Sequence, residues 1–281
     1  MSFISYAQNF EDIMLWRALK HIKRGFYIDI GAAWSSEHSV TKAFYEYGWH
    51  GINIEPNPQF YEQLQQQRIR DINLPFAIGN EPGMRQMHII NNTGLSTLDN
   101  EIAQKHIKSG WETKSHQVEM KTLSTICNTH IPANQEIHFL KVDVEGLELS
   151  VLESADWVKY RPWIVLVEAT LPLSQEESHT EWEGILLSAN YQFVYFDGLN
   201  RFYVAIEQTK LASAFVSPPN EFDDFIVASD MDAKRLLNVL SDIYASRSWR
   251  ITAPLRKIHS KYLNIRRNLY RLIKNIAFTQ K

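Results

Sequence analysis

The sequence predicts an open, doubly wound α/β sheet whose central strands are parallel. Short apolar runs alternate with longer mixed segments, and several runs are apolar on both faces, as strands between two helical layers are. The last two runs are separated only by residues 198–200, which predicts a hairpin and therefore an antiparallel edge. The 281 residues, 44% of them hydrophobic, are enough for one large domain and an appendage.

Seven strands and two early helices follow from this pattern. Residues 36–48 place apolar side chains on one helical face and end in glycine, and residues 58–68 open with a proline that suits a first helical position. Residues 84–135 are less regular, and we expect them to pass over the carboxyl edge of the sheet, where ligands bind in such folds. The predicted strands cover residues 26–31, 51–56, 72–79, 138–144, 163–169, 191–197 and 201–206.

The segment Y-I-D-I-G-A ends the first predicted strand with Asp29 and Gly31. A dinucleotide loop holds a pyrophosphate against backbone N–H groups and needs several glycines to do so. Here a single glycine stands beside an acid that would repel phosphate. S-adenosylmethionine carries an ammonium and no phosphate, so Asp29, Gly31 and Ala32 fit it better than NAD. The alternative is an ordinary strand end with a helix-capping aspartate.

The next two strand ends also carry candidate cofactor contacts. Glu55 ends the second predicted strand, where an acid can accept hydrogen bonds from both ribose hydroxyls of an adenosine cofactor, and Pro56 stops the strand. The third predicted strand ends Ala77-Ile78-Gly79-Asn80, and the side chain of Asn80 could meet the adenine amine. A solvated glutamate at position 55 and a turn asparagine at position 80 are the alternatives.

The segment KVDVEGLE places Lys141, Asp143 and Glu145 at alternate positions, so an extended chain puts them on one side. Burying such charges is costly unless they are paired or bind a ligand. The fourth strand of a doubly wound sheet ends beside the reactive atom of the cofactor, where Asp143 or Glu145 could act as general base for a substrate hydroxyl. The alternative is an ion pair of Lys141 with either acid, plus a helix N-cap at Asp143.

Glu168 is a further carboxylate at a strand end, and it could converge with Asp143 and Glu145. Such a cluster could bind Mg²⁺ or another hard cation and lower the pKa of a sugar hydroxyl. No histidine joins the group at ligand spacing, so the sequence leaves a divalent cation open.

Several function classes are excluded by what the sequence lacks. It has no G-x-S-x-G elbow, Walker A loop or H-E-x-x-H motif. Its one cysteine, Cys127, excludes an intramolecular disulfide and a cysteine metal cluster. No signal-peptide pattern opens the chain, and no uncharged apolar run approaches the roughly 18–20 residues that span a bilayer. We therefore expect a cytoplasmic protein.

Taken together, these segments resemble the FkbM family of S-adenosylmethionine-dependent methyltransferases. The resemblance covers residues 4–206 and rests on YAQNFEDIML, YIDIGA, GINIEPNP, GLSTLD, FLKVDVEGLELSVLE and FDGLNRFYVA, in this order. It implies a class I methyltransferase (Rossmann-like) fold, a seven-stranded and mostly parallel sheet with an antiparallel last strand, here with C-terminal helices added. It also implies methylation of hydroxyl oxygens, and two of the segments, GINIEPNP and FDGLNRFYVA, resemble the subgroup associated with bacterial surface-glycan assembly.

The resemblance also implies site residues. The N-terminal segment around Glu11 would close over the cofactor, unless it is a simple docking helix. The first loop departs from the family's glycine-rich form in reading Ala-Trp-Ser-Ser at residues 33–36. The predicted catalytic residues are Lys141, Asp143, Glu145 and Glu168, and the predicted cofactor-binding residues are Tyr6, Gln8, Asp29, Gly31, Ala32, Glu55, Pro56, Asn57, Ile78, Asn80 and Asp143.

The functional hypothesis is an S-adenosylmethionine-dependent O-methyltransferase that acts on a sugar hydroxyl of a surface glycan or glycolipid. Two alternatives stay open. One is a Rossmann-type NAD-dependent oxidoreductase, which Asp29 and the missing glycines oppose. The other is a non-catalytic adaptor in glycan assembly.

The C-terminal part differs in charge from the rest. We divide the chain into a methyltransferase domain, residues 1–210, and a helical extension, residues 211–281. Residues 247–281 hold ten of the 29 Lys and Arg residues and none of the 32 Asp and Glu residues. Apolar residues at alternating spacings of three and four predict a helix over residues 255–277.

Three roles are open for this basic tail. It could lie on the anionic inner face of a membrane, with Trp249 at the interface. It could instead self-associate or bind a partner helix, or pack onto the acidic body of the chain. Nothing else in the sequence supports a nucleic-acid partner.

Overall fold

The structure is a computed structural model that describes residues 2–256, 261 and 263. Contacts between Cα atoms divide the chain into two compact units, residues 1–226 and 227–281. The first unit extends past the predicted boundary at residue 210 because Phe215, at the end of a 3₁₀ helix, is buried in its core. The predicted helix over residues 255–277 falls for the most part outside the described residues.

Strands and helices alternate along most of the first unit. In chain order, the described strands are β1 (Phe3–Ser5), β2 (Phe26–Ile30), β3 (His50–Ile54), β4 (Ile72–Leu74), β5 (Phe76–Ile78), β6 (Gly83–Ile89), β7 (Lys114–Lys121), β8 (Phe139–Val142), β9 (Ile164–Glu168), β10 (Tyr191–Phe196), β11 (Asn200–Ala205) and β12 (Phe225–Val227). The described α-helices are α1 (Glu11–Leu19), α2 (Lys42–Glu46), α3 (Pro58–Gln67), α4 (Asn100–Lys108), α5 (Leu123–His130), α6 (Glu148–Glu153), α7 (Glu183–Ser188), α8 (Ala228–Ala245) and α9 (Arg247–Ile251).

Seven strands form one mixed sheet in the order β10-β11-β9-β8-β2-β3-β4. The strands β2, β3, β4, β8 and β9 run parallel, with Ile28 in register with Ile52 on one side and Leu140 on the other. The strand β11 is antiparallel to both of its neighbours, β9 and β10. The predicted α/β class, with a mostly parallel seven-stranded sheet and an antiparallel last strand, is therefore confirmed.

The core lies on the two faces of this sheet. Successive side chains of a strand point to opposite faces, so Ile28 packs in one apolar cluster and Tyr27 in another. All five residues of β2 are buried, and Asp29 is the one charged residue among them. A buried acid in the central strand needs a partner, and that partner belongs to the site described below.

The prediction of a single strand over residues 72–79 is wrong. The segment divides at Pro75 into β4, which belongs to the main sheet, and β5, which pairs with β7 in a separate sheet of order β5-β7-β6. Proline has no N–H to donate to a ladder, so the pairing changes there. Most residues of β6 and β7 are exposed or only partly buried, which hid these strands from a search for apolar runs.

The first predicted helix, residues 36–48, is shorter in the structure and is confined to α2. His38 has a φ of 56° and Ala33 a φ of 47°, values that an α-helix does not tolerate. Residues 32–41 therefore form a loop that stays at the carboxyl edge of the sheet. The second predicted helix is confirmed as α3, with the side chain of Asn57 as its N-cap.

A buried arginine holds this loop in place. Arg68, at the end of α3, donates to Asp71 Oδ2 at 3.0 Å, to the Tyr27 hydroxyl and Thr41 Oγ1 at 2.8 Å each, and to the Ser35 carbonyl oxygen at 3.1 Å. The side chains of Arg68 and Asp71 are both fully buried. The network therefore joins α3, β2 and the loop formed by residues 32–41.

We expect Arg68→Met to lower the free energy of unfolding by about 3–5 kcal/mol, because it leaves the Asp71 carboxylate buried without its cation. Urea denaturation followed by circular dichroism measures this change. Lys42→Met is the matched control, since it removes a partly exposed ion pair with Glu46 and should cost about 1 kcal/mol or less. Equal urea midpoints for Arg68→Met and the unsubstituted protein would contradict a stabilising role for the buried Arg68 network.

Candidate active site

A cavity of about 450 Å³ opens at the carboxyl edge of the main sheet. Its walls include residues that end or follow β2, β3, β5, β8 and β9, as is typical of ligand sites in open α/β sheets. The predicted site residues that line it are Gln8, Gly31, Ala32, Glu55, Pro56, Ile78, Lys141, Asp143, Glu145 and Glu168.

Gly31 is required by a close approach between two backbone segments. It has a φ of 73°, and a Cβ at this position would lie 1.7 Å from the carbonyl oxygen of Asp143. A residue with a side chain would force the two segments apart. The loop after β2 and the end of β8 therefore meet directly beneath the cavity.

The first three N–H groups of the loop after β2 are already used within the protein. Gly31 and Ala32 donate to the Ile54 carbonyl oxygen at 3.0 and 3.2 Å, and Ala33 donates to Glu55 Oε2 at 2.8 Å. A dinucleotide loop would direct such groups at the pyrophosphate. This loop therefore suits a ligand without phosphate at this point.

Glu55 is a buried carboxylate on the cavity wall. Its second oxygen, Oε1, accepts a hydrogen bond from the Asn57 N–H at 2.7 Å, so the side chain ties the loop after β2 to the start of α3. Burial raises the pKa of Glu55 to about 7, although the N–H groups of Asn57 and Ala33 and the charge of Lys141 act in the opposite direction. The carboxyl thus titrates near neutral pH.

Lys141 connects the three segments that meet here. Its Nζ atom donates to the Gly31 carbonyl oxygen at 2.8 Å and lies 3.4 Å from Asp29 Oδ1 and 3.2 Å from Asp143 Oδ2. Burial alone would lower the pKa of this ammonium, but Asp143 and Asp29 outweigh burial and raise the pKa above its ordinary value. Lys141 is therefore a permanent cation in the cavity wall.

Asp29 lies behind the cavity wall. It is buried, its Oδ2 accepts a hydrogen bond from Thr41 Oγ1 at 3.0 Å, and its Oδ1 faces Lys141. A direct contact between Asp29 and a cofactor stays a prediction. In the structure Asp29 acts on the cavity through the lysine that it holds.

Three carboxylates converge at the ends of β8 and β9. One oxygen from each of Asp143, Glu145 and Glu168 lies within 4.8 Å of the others. Burial, followed by the charges of Asp143 and Glu148, raises the pKa of Glu145 well above its ordinary range. Burial, followed by Asp143 and Glu145, does the same to the pKa of Glu168. The convergence expected from the sequence is therefore present.

Glu145 reaches this cluster by a turn. The expectation that residues 138–144 form one extended strand with Glu145 continuing the alternation is wrong, because β8 ends at Val142 and Glu145 has a φ of 55°. The carbonyl oxygen of Glu145 accepts a hydrogen bond from Thr97 Oγ1 at 2.9 Å. The carboxylate of Glu148 accepts from the N–H groups of Val144 and Gly146 at 3.2 Å each.

Besides Asp29, three predicted cofactor contacts lie outside the cavity lining. The Tyr6 hydroxyl donates to Glu46 at 3.0 Å. Asn57 caps α3, as noted above. The side chain of Asn80 bonds Ser150 and Glu153, which ties β5 to α6, so the structure does not direct it at the cavity. Direct contacts from these side chains stay predictions.

Sequence reasoning missed a polar network beside the three carboxylates. Asn200 donates to Glu11 Oε1 at 3.0 Å and to Asp197 Oδ2 at 3.2 Å, and both Glu11 and Asn200 line the cavity. Burial raises the pKa of Glu11 to about 7. The predicted hairpin carried the signal. An antiparallel strand begins at the edge of the sheet where the parallel strands end, and Asn200, the first residue of β11, pairs with Glu168, the last residue of β9.

Sequence comparison agrees with this arrangement. A family model described as "Methyltransferase FkbM domain" matches residues 29–193, which is more than half of the chain. The match begins at Asp29 and includes the three converging carboxylates, whereas Gln8, Glu11 and Asn200 fall outside it. Among curated proteins, none matches this sequence. The match supports S-adenosylmethionine as the cofactor. It gives no support to the NAD-dependent alternative.

We expect the affinity for S-adenosylmethionine to increase as the pH rises from 6 to 8. Ionised Glu55 is the better acceptor for ribose hydroxyls, and with a pKa of about 7 its ionised fraction changes by up to about ten-fold over this range. Isothermal titration calorimetry of the unsubstituted protein and of Glu55→Gln measures the effect, and the variant should bind more weakly at pH 8.

The difference between the two pH profiles isolates Glu55, because titration of the cofactor itself is common to both. Glu62→Gln provides the matched control, since Glu62 lies exposed on α3 and should leave the profile unchanged. If Glu55→Gln keeps the full pH dependence, Glu55 does not bind the ribose as its anion.

Proposed function

The chain belongs to the FkbM methyltransferase family, and we propose that it transfers a methyl group from S-adenosylmethionine to a sugar hydroxyl of a surface glycan or glycolipid. The observation that carries this proposal is the cluster of Asp143, Glu145 and Glu168 in the same cavity as Glu55. An alcohol is a poor nucleophile near neutral pH, so its methylation needs a base or a metal ion. The cluster provides groups for either role.

The charge of the cavity supports a cationic cofactor. The residues that line it include five carboxylates and one permanent cation, Lys141; the carboxylates are those of Glu11, Glu55, Asp143, Glu145 and Glu168. S-adenosylmethionine brings a sulfonium and an ammonium and no phosphate, which matches this excess of acid. It also matches the loop after β2, whose first three N–H groups are used internally.

The cavity residues divide between the parts of this cofactor. Glu55 would accept hydrogen bonds from the ribose hydroxyls, and the apolar side chains of Pro56, Phe76 and Ile78 would face the adenine. The carbonyl oxygens of the loop after β2 would meet the ammonium. When bound, the cofactor supplies an electrophilic methyl carbon, to which the acceptor oxygen bonds as the carbon–sulfur bond breaks.

Within the cluster, we assign the proton of the acceptor hydroxyl to Asp143. Lys141 Nζ lies 3.2 Å from Asp143 Oδ2, whereas burial and the neighbouring acids raise the pKa values of Glu145 and Glu168 well above their ordinary range. A carboxyl that already holds a proton does not accept another. Glu145 and Glu168 then orient the hydroxyl by hydrogen bonding.

Binding a divalent cation is a second role for the same cluster, and two carboxylate oxygens without hydrogen-bond partners in the described part of the chain favour it. Glu145 Oε2 and Glu168 Oε2 are buried and have no hydrogen-bond partner among the residues that the structure describes. Buried oxygens of this kind are costly unless they are liganded. Mg²⁺ and Mn²⁺ prefer such carboxylate oxygens, and a cation there would lower the pKa of a bound hydroxyl.

The sugar acceptor is supported by the resemblance to glycan-assembly members and by the wall beside the cluster. Gln8, Ser174 and Gln175 line this wall together with Asn200. Amide and hydroxyl side chains of this kind can exchange hydrogen bonds with several sugar hydroxyls at once.

We expect Asp143→Asn and Glu145→Gln each to lower kcat by about 100-fold or more, because they remove general-base and hydroxyl-orienting groups. The assay follows radiolabelled methyl transfer onto isolated surface glycans, with mass spectrometry locating the methyl ether. Affinity for S-adenosylmethionine should stay within about two-fold in Glu145→Gln, and the exposed Glu112→Gln is the matched control. Full turnover in both variants would mean that the cluster does not activate the hydroxyl, and label absent from every sugar would exclude a glycan acceptor.

We expect Mn²⁺ to bind the unsubstituted protein and not Glu168→Gln, because three carboxylates converge on one point. Electron paramagnetic resonance of free Mn²⁺ measures binding without reference to turnover, and Glu112→Gln should bind as the unsubstituted protein does. Methyl transfer should fall after treatment with EDTA and return with Mg²⁺. If no Mn²⁺ binds and activity persists in EDTA, the cluster acts through its carboxylates alone.

A further inference from the structure

The helix α8 in the second unit has an uncovered apolar face. None of its residues is buried, and six large apolar side chains are 43–65% exposed: Leu236, Leu237, Val239, Leu240, Ile243 and Tyr244. At the helical repeat these six positions fall within an arc of about 160°. The opposite arc carries Lys234, Arg235, Asn238, Ser241 and Asp242.

The charge of the second unit is strongly positive. Residues 227–281 hold 12 of the 29 Lys and Arg residues but only three of the 32 Asp and Glu residues. The three acids, Asp230, Asp232 and Asp242, all lie in α8, so the chain that follows α8 is purely basic among its charged residues.

We propose that α8 docks on an anionic lipid surface, with its apolar face at the boundary between headgroups and acyl chains. An amphipathic helix in this position gains from burial of apolar side chains and from attraction between nearby basic residues and anionic lipids. Residues 247–281 supply the attraction and α8 supplies the apolar face. The inference is independent of the proposed reaction.

Two features favour a lipid surface over a second copy of the chain. An arc of about 160° is wider than the seam that two paired helices need, and two copies paired in parallel would bring two purely basic segments together. The aromatic rings of Tyr244 and Trp249 lie 5.1 Å apart at the C-terminal end of α8, and such rings are enriched at the membrane interface.

The docking places α8 on a bilayer and not across it. No helix in the described part of the chain is long and apolar enough to span a membrane.

Co-sedimentation of the full chain with vesicles tests the proposal. The unsubstituted protein should bind vesicles of phosphatidylcholine with phosphatidylglycerol, and bind pure phosphatidylcholine weakly. Leu237→Asp with Leu240→Asp should weaken binding by at least about ten-fold, because two apolar side chains no longer insert. Added salt should weaken binding of the unsubstituted protein as well.

The matched control is Asn238→Asp with Ser241→Asp, which adds the same charge to the polar face. It should bind more tightly than the leucine variant at every salt concentration. Equal binding by the two variants would overturn the proposal, as would equal binding of the unsubstituted protein to both vesicle types. Light scattering gives the solution mass: a dimer that the leucine variant converts to a monomer, without lipid binding, would assign the face to a second copy.

Folding of the variants is checked separately. Both variants should bind S-adenosylmethionine as the unsubstituted protein does, because every substitution lies in the second unit. If neither double variant keeps its cofactor affinity, the single variants Leu240→Asp and Asn238→Asp are compared instead. Leu240→Asp should again bind vesicles more weakly than Asn238→Asp.

Discussion

The site depends on one buried ammonium placed between two acids. Lys141 is in register with Asp29 on the adjacent parallel strand, so the sheet itself brings the cation to the first acid. The same Nζ atom also bonds the Gly31 carbonyl oxygen and pairs with Asp143. The loop after β2 and the turn after β8 are thereby held at one point, and Gly31 lets their backbones touch. Without this cation, the buried carboxylate of Asp29 would lose its ion pair, at a cost of several kcal/mol.

This arrangement also determines what the cavity can bind. Because the loop after β2 uses its first N–H groups on Ile54 and Glu55, it offers a ligand carbonyl oxygens and acids more readily than donors. Lys141 is already neutralised by Asp29 and Asp143. It therefore does not compensate Glu11 and Glu55, whose pKa values of about 7 leave them partly ionised at neutral pH. A preorganised excess of negative charge costs no rearrangement when a cationic ligand arrives. The preference for a cationic ligand therefore follows from how the protein pairs the N–H groups of its own backbone.

The sequence was most informative where local pattern and tertiary structure agree. Buried parallel strands have continuous apolar sequences, so β2, β3, β8 and β9 and their terminal charges were predictable. The turn at Glu145 was not, because its carbonyl oxygen is held by Thr97, which meets it only in the folded chain. The same holds for Asn80, which is drawn to α6 by Ser150 and Glu153, and for Asp29, whose direction depends on Lys141. The strands β6 and β7 lack an apolar face long enough to detect.

If α8 docks as proposed, the first unit recognises the reacting groups and the second unit recognises the surface that carries them. A glycan or glycolipid acceptor that is assembled on a lipid carrier is confined to the surface on which α8 would dock. Confining enzyme and acceptor to one surface raises their effective concentration, so that even a weak intrinsic affinity for a single sugar suffices. A cavity lined by a few amide and hydroxyl groups can then stay open enough to release its product. The basic segment would thus let the active site discriminate by the geometry at the hydroxyl, because docking on the membrane would already have brought enzyme and acceptor together.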